Sequence, residues 1–125
     1  MLLLLVLFAF GLKAKDKTVV PASVPWASVL KAKDGKALEK TKVTLRFTIH
    51  DKDVKGKAVY QETQSVSTDD KGNVSVKVGE GKSSKGKFSK IDWSAAPKFL
   101  QVELDPAGGK KFVEIENNAM ADPTK

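Results

Sequence analysis

The sequence predicts an all-β protein, an antiparallel two-layer β-sandwich of about six or seven strands with one short helical turn. From residue 26 onward, apolar residues recur at every second position, which is typical of strands with one buried face. Turn sequences separate these runs at the spacing of hairpins. A helical turn is predicted only around residues 88–96, where Asp92 is placed to cap it.

Alternation of apolar and polar side chains defines each predicted strand. It is clearest in residues 43–49, where four apolar side chains alternate with Thr44, Arg46 and Thr48. The predicted strands are residues 26–32, 43–49, 58–68, 74–78, 100–104 and 113–115. We expect the core to contain Val43, Leu45, Phe47, Ile49, Val74, Val76, Leu100, Val102, Leu104, Val113 and Ile115. Each would contribute roughly 1.5–3 kcal/mol before the entropy of ordering is subtracted.

Residues 58–68 differ from the other predicted strands because both of their faces carry polar groups. Such two-sided polarity is typical of an edge strand, and an edge can accept a strand from another protein or from a second copy. The side chains of this predicted partner edge are Tyr60, Glu62, Gln64 and Val66. Residues 79–87, rich in glycine, serine and lysine, are predicted to form a surface loop.

The amino terminus carries an apolar run, residues 2–10, followed by several lysines. This run is too short for a stable membrane span and has the length of the apolar part of a secretory signal peptide, with cleavage after Gly11 or Ala14. A buried first strand and an uncleaved anchor are the alternatives. The predicted organisation is a signal peptide at 1–14, an extended linker at 15–25, the sandwich at 26–116 and a polar tail at 117–125. Export to the periplasm, cell surface or medium follows from the signal peptide.

The composition excludes several kinds of site. The 125 residues include no cysteine and one histidine, which excludes disulfides, thiolate metal sites and any site that needs two imidazoles. His50, Asp51 and Asp53 form a weak candidate for catalysis or cation binding. Residues 69–73 superficially resemble a calcium loop, but a hairpin turn is favoured. We therefore predict no catalytic residue, no cofactor and no metal, and a protein that is not an enzyme.

The net charge of +7 comes from 21 lysines and a single arginine against 15 acidic residues. Nucleic acid is not a predicted partner, because base readout and bidentate phosphate contacts rely on arginine. Scattered lysines are typical of soluble β-proteins and protect their edges, although weak attraction to an acidic polysaccharide also fits. An alternative function is a carbohydrate-binding domain that stacks sugars on Trp26, Tyr60 and Trp93.

Several motifs together resemble a known family. The most specific pair is Ile-Asp-Trp-Ser at residues 91–94 and Leu-Asp-Pro-Ala-Gly-Gly at 104–109. Supporting pieces are Ala-Lys-Asp-Gly-Lys-Ala-Leu at 32–38, Val-Tyr-Gln-Glu-Thr at 59–63 and Thr-Asp-Asp-Lys-Gly at 68–72. The chain resembles the small prealbumin- or immunoglobulin-like β-sandwich module found near the amino termini of exported fibre-like or adhesive proteins of Gram-negative bacteria.

The resemblance implies a non-enzymatic extracytoplasmic module with a structural, adhesive or protein-presenting role, and it brings no catalytic residues. The chain departs from the pattern at Trp26, where the family usually has tyrosine. It also departs after Gly109, because the family continues into a hydrophobic strand with a Ser-Val-Pro-Tyr-Ala-like run, whereas residues 117–125 are polar. We therefore expect a sandwich that lacks its last strand or receives it from a partner.

Overall fold

Two antiparallel sheets account for the regular structure of the described chain. A computed structural model describes residues 21–124, so the predicted signal peptide and most of the predicted linker lie outside the described residues. The strands are β1 (Val24–Val29), β2 (Lys42–Asp51), β3 (Ala58–Ser67), β4 (Asn73–Val78), β5 (Lys82–Lys85), β6 (Lys98–Asp105) and β7 (Val113–Ala119). Strands β1 and β4 form a two-stranded sheet, and the other five form a sheet in the order β5-β3-β2-β6-β7. The predicted all-β sandwich is confirmed.

Strand β2 lies at the centre of the larger sheet. It pairs with β3 along one side and with β6 along the other. Its inward-facing side chains, Val43, Leu45, Phe47 and Ile49, have no exposed surface. Trp26 of β1 covers this face from the smaller sheet, with its ring 5.3 Å from that of Phe47 and inclined by 74°, an edge-to-face arrangement that aromatic pairs favour.

Aromatic side chains from the segment between β5 and β6 complete the core. A 3-10 turn at Phe88–Lys90 is shorter than the predicted helical turn, and Asp92 accepts hydrogen bonds from Ser94 instead of capping a helix. The Phe88 ring contacts both Tyr60 and Trp93, with centroids 5.4 and 5.7 Å apart. These three rings are buried, as is Ile91, so this segment belongs to the core.

Several boundaries differ from those predicted. Residues 58–68 were predicted to be an edge, but β3 lies between β2 and β5, and β5 covers its outer side at Gln61–Thr63. Residues 82–85 were predicted to lie in a loop, but they form β5. This strand pairs with Gln61–Thr63 of β3, although its serine- and lysine-rich sequence does not suggest a strand. The sandwich begins at Val24 within the predicted linker. Residues 117–119 of the predicted tail belong to β7.

The predicted core also needs correction at its margin. Val113 and Ile115 are 55% and 42% exposed, because β7 extends beyond the area that the two-stranded sheet covers. Val76 is only partly buried against the core. The other residues of the predicted core set are buried. Within residues 21–124, no helix has the length and apolar character needed to cross a membrane.

The contrast between Ile49 and Ile115 gives a matched stability test. Ile49→Ala removes a side chain with no exposed surface and leaves a cavity, so we expect the free energy of unfolding to fall by about 2–5 kcal/mol. Ile115→Ala removes the same atoms from a half-exposed site, and we expect a loss under about 1 kcal/mol. Urea unfolding followed by circular dichroism measures both. Equal losses would contradict the placement of Ile115 outside the core.

Candidate functional site

Strand β7 is one of the two outermost strands of the larger sheet, and β5 is the other. The inner neighbour of β7 is β6, and no other strand of residues 21–124 pairs with its second side. An edge strand presents unpaired backbone N–H and C=O groups, which can pair with another chain. Strand β7 therefore has a backbone edge available to an additional strand among the described residues.

An apolar groove of about 420 Å³ runs beside this edge. Leu104, Val113 and Ile115 form its apolar floor, with Ala32 and Pro106 at its side. Val113 and Ile115 are two of the four large hydrophobic side chains that are exposed in residues 21–124. Exposed apolar surface joined to an open strand edge is typical of a site that binds another polypeptide.

A β-bulge interrupts the pairing of β7 with β6 at Ile115. Val102 of β6 pairs with Glu116 and the next residue, Glu103, pairs with Glu114, so Ile115 is the extra residue on β7. A bulge changes the direction in which a side chain points and bends its strand. Val113 and Ile115 are two residues apart on β7, so strand alternation puts them on one face, and both line the groove.

Three lysines, Lys31, Lys33 and Lys111, form the rim of the groove, and all three are exposed. The first two lie on a tight turn closed by a bridge between Lys31 and Ala37 and by the Ala32 N–H, which donates to the Lys36 carbonyl at 2.8 Å. Gly35 makes this turn possible, since its φ of +86° is unfavourable for other residues. The backbone at Lys31 and Lys33 is therefore held in place by the hydrogen bonds of this turn.

Asp105 fixes the third lysine and is the acidic residue of the groove. Its Oδ1 accepts the Ala107 N–H and its Oδ2 accepts the Lys111 N–H, both at 2.9 Å. The hydrogen bond from the Ala107 N–H, followed by that from Lys111, lowers the pKa of Asp105. The carboxylate is thus occupied by backbone donors, while the rim carries three ammonium groups.

The two glutamates of β7 are also held by other residues. The Trp26 Nε1–H donates to Glu116 across the seam between the sheets at 3.3 Å. On the outer face, the Gln101 side-chain amide donates to Glu114 at 2.9 Å. These contacts orient the β7 side chains and link the open edge to the core through Trp26.

The comparison with protein families matches residues 26–118 to a family described as a domain of unknown function, DUF8740. The chain belongs to this family. The matched stretch begins in β1 and ends in β7, so it includes the groove and its lysine rim. Searches of curated proteins and of solved structures found no match.

Of the four residues of the predicted partner edge, Glu62 lies where β5 pairs with β3, and the other three lie outside that pairing. Tyr60 and Glu62 are buried between the sheets, and Val66 packs partly against the core. The Glu62 carboxylate accepts hydrogen bonds from the Tyr60 hydroxyl at 2.5 Å, the Gly79 N–H at 2.7 Å and the Gln64 amide at 2.5 Å. The polar residues that suggested an edge form an internal network instead, because a buried carboxylate needs donors.

The predicted glycan face is not an exposed surface. Trp26, Tyr60 and Trp93 are 9%, 1% and 6% exposed, and each contacts another aromatic ring of the core. A sugar stacks on the face of an accessible ring, and these rings are covered. The three residues therefore serve packing between the sheets.

The polar residues around His50 hold loops and strands together. The two ring nitrogens of His50 lie 2.9 Å from the Gly56 carbonyl oxygen and 2.8 Å from Gln101 Oε1. Asp51 forms an ion pair with the buried Lys98, whose Nζ lies 2.9 Å from Asp51 Oδ1. Asp53 accepts the Lys55 N–H in the following loop. These contacts join β2 to β6 and to its own loop.

Residues 69–73 form a tight turn, but not the predicted hairpin, because β3 and β4 do not pair and the turn leads from one sheet to the other. Asp69 Oδ1 accepts the Lys71 and Asn73 N–H groups, both at 2.8 Å. Hydrogen bonds from the Asn73 N–H and then the Lys71 N–H lower the pKa of Asp69. Within the described residues, no three His, Cys, Asp or Glu side chains group in a way that could hold a metal ion.

The single arginine has a structural partner that the sequence did not reveal. Arg46 of β2 binds Glu103 of β6 through two parallel hydrogen bonds of 2.8 and 2.9 Å. Its guanidinium also stacks over the Phe112 ring, 4.2 Å from the centroid. The hydrogen bond to Glu103 is the main cause that raises the pKa of Arg46. This contact holds the outer face of the sheet at the base of β7.

Sequence reasoning missed the groove because it placed Val113 and Ile115 in the core. The available pattern was the alternation Val-Glu-Ile-Glu at residues 113–116, which ends the regular strands and follows a glycine-rich turn. An alternating strand at the end of a sheet is a candidate edge. Lys31 and Lys33 line the groove because the turn at residues 31–37 lies beside β7. This is a tertiary contact, which local sequence patterns do not predict.

The sole tyrosine gives a direct test of the buried network. Burial, followed by the hydrogen bond to Glu62, raises the pKa of Tyr60 above its ordinary value near 10. We expect no phenolate absorbance step near pH 10 while the protein stays folded, and a step there in urea. The protonated Tyr60 hydroxyl stabilises the folded state. This stabilisation is complete at pH values below the pKa of Tyr60 in the unfolded chain, and it is lost as the pH rises through the higher pKa of Tyr60 in the folded protein.

Tyr60→Phe is the control for this titration. It should remove the absorbance step in both states and lower the free energy of unfolding by about 1–3 kcal/mol, because Glu62 loses a donor. A phenolate step near pH 10 in protein that circular dichroism shows to be folded would contradict the buried hydrogen bond.

Proposed function

We propose that this protein is an exported, non-enzymatic β-sandwich module with a structural, adhesive or protein-presenting role, and that it binds other polypeptides at the free edge of β7. The observation that carries the proposal is the combination of an open strand edge with the apolar groove beside it. The proposal keeps edge-strand pairing as the mode of binding but moves it from residues 58–68 to β7.

The groove has the features that strand addition requires. The backbone of β7 offers main-chain hydrogen bonds to an incoming strand, and the exposed Val113 and Ile115 offer contacts to its alternate side chains. Main-chain bonds supply affinity in this mode and side-chain pockets supply specificity. A partner strand would also cover apolar surface that β7 leaves exposed to water.

Support for a non-enzymatic role comes from the hydrogen bonds and ion pairs that hold the polar residues His50, Asp51 and Glu62. His50 is held between Gly56 and Gln101, Asp51 is paired with Lys98, and Glu62 accepts three hydrogen bonds. Each of these groups joins elements of the sandwich. Reactive groups held this way serve the fold, and the surfaces are left to carry the function.

Support for export comes from the sequence of the amino terminus. The apolar run at residues 2–10, followed by small residues and lysines, has the order of a signal peptide. The absence of cysteine is compatible with an oxidising compartment, since no free thiol can be oxidised there. The resemblance to modules of exported fibre-like and adhesive proteins leads to the same proposal.

Single-cysteine variants test both parts of this proposal, because the natural chain has no cysteine. Ile115→Cys, labelled with a photoreactive thiol probe on cells of the species that makes the protein, should give a cross-link to another polypeptide. The intact mass of the labelled protein should lack the first 11 to 14 residues, and the protein should lie outside the cytoplasm.

Lys82→Cys is the matched control, since Lys82 is exposed and lies on β5 at the opposite edge of the larger sheet. It should be labelled equally well and give no cross-link. A full-length cytoplasmic product would overturn the proposed export. Equal cross-linking at the two positions, or none at Ile115→Cys, would overturn the proposed binding edge.

A further inference from the structure

We infer that the outer face of the larger sheet binds an acidic saccharide, whose sugar rings carry a carboxylate as well as hydroxyl groups. This site lies on a different face from the groove beside β7, and it goes beyond the proposed binding of polypeptides. It is carried by a second, polar groove of about 380 Å³. Two cationic side chains line this polar groove, and none of the described residues that line it is acidic.

The polar groove crosses β2 and β3 on the face turned away from the smaller sheet. Its floor consists of Thr44 and Arg46 of β2 and Gln61 and Thr63 of β3. The two side chains from β2 alternate with fully buried ones, and Arg46 lies opposite Thr63 in the register. The groove is bounded by β5 on one side and by the loop between β6 and β7 on the other. Its volume is within the range of small-molecule sites.

Hydrogen bonds fix the loop between β6 and β7, so this side of the polar groove is preformed. The Gly108 N–H donates to the Asp105 carbonyl at 3.1 Å. The Asp105 carboxylate accepts the N–H groups of Ala107 and Lys111. Lys110 lies within this ordered loop, is exposed and lines the polar groove. A ligand that binds its ammonium group therefore does not have to order the loop.

Arg46 supplies the second cationic group, in a fixed orientation. Its Nε and Nη2 atoms donate to the Glu103 carboxylate, and its guanidinium stacks on the Phe112 ring. In this side-on pair Nη1 lies on the side away from Glu103, and its two N–H donors have no partner in residues 21–124. A guanidinium with spare donors is suited to the oxygen of a second carboxylate.

The neutral side chains of the polar groove match the hydroxyl groups of a sugar. The Gln61 amide is oriented by donating to the Thr48 hydroxyl at 2.9 Å and accepting from the Ser84 hydroxyl at 3.0 Å. The hydroxyls of Thr44 and Thr63 have no hydrogen-bond partner in the described part of the chain. Hydroxyls both donate and accept, as sugar hydroxyls do. A ligand with a carboxylate and several hydroxyls therefore matches the whole groove.

Two trisaccharides of the same linkage test the inference, one of galacturonic acid and one of galactose. Calorimetry on the full-length protein should show the acidic trisaccharide binding at least about tenfold more tightly than the neutral one. Amide chemical shifts of Arg46, Gln61 and Thr63 should change on binding, while those of residues 115–119 should not. The preference should shrink as salt rises from about 0.01 M to about 1 M.

Two adjacent lysines provide a matched pair of variants. Lys110→Gln removes a charge from the polar groove and should weaken the acidic trisaccharide about threefold to tenfold. Lys111→Gln makes the same change in net charge one residue away, but Lys111 lines the groove beside β7. This variant should bind within about twofold of the natural protein. Thr63→Val keeps the shape of the side chain, removes its hydroxyl and should weaken the acidic trisaccharide about threefold.

The outcomes separate this inference from the proposed function. No binding of the acidic trisaccharide, or equal binding of the two trisaccharides, would overturn it. Equal losses in the two lysine variants would also overturn it, because binding would then follow net charge. Inorganic phosphate is a third probe, and phosphate binding at the same residues as tightly as the acidic trisaccharide would replace the saccharide with a simple anion. None of these results changes the cross-link expected at Ile115→Cys, so the two proposals fail separately.

Discussion

Strand β2 is hydrogen-bonded along both sides, and its apolar inner face is fully covered. This double pairing is the constraint on which the rest of the structure depends. It brings β3 and β6 to neighbouring positions and aligns their inward side chains with Val43, Leu45, Phe47 and Ile49. The smaller sheet then packs over this centre, where Trp26 contacts Phe47. Burial at β2 thus determines which strands lie inside and which lie at the margins.

Unequal sheets leave one margin open. Neighbouring strand axes are about 4.8 Å apart, so five strands span roughly 20 Å while two span only about 5 Å. The 3-10 turn and the residues around Trp93 cover part of the difference near β3. On the other side, Trp26 reaches Glu116, but Val113 and Ile115 stay exposed. The groove is therefore a geometric consequence of the strand count in each sheet.

Alternation in the sequence was sufficient to predict the fold class, the positions of six strands and most of the core. Alternation did not predict the exposure of a residue where that exposure depends on which strand or sheet lies next to its own strand. The polar side chains of β3 suggested an edge, yet Glu62 is buried with its own donors, and Val113 has the pattern of a core residue but lies beyond the covering sheet. Strand β5 was missed because Lys-Ser-Ser-Lys has little apolar content, and its pairing with β3 depends on position alone.

The central claim is that β7 carries an unpaired edge beside an open groove. Hydrogen exchange of the free, full-length protein, resolved by residue, tests it most directly. Amides of β2 should exchange only through global unfolding, because that strand is paired on both sides. In β7, amides bonded to β6 should be protected, while the alternate amides that face away should exchange rapidly. Slow exchange of every β7 amide in a monomer would show that the edge is already covered and would contradict the account.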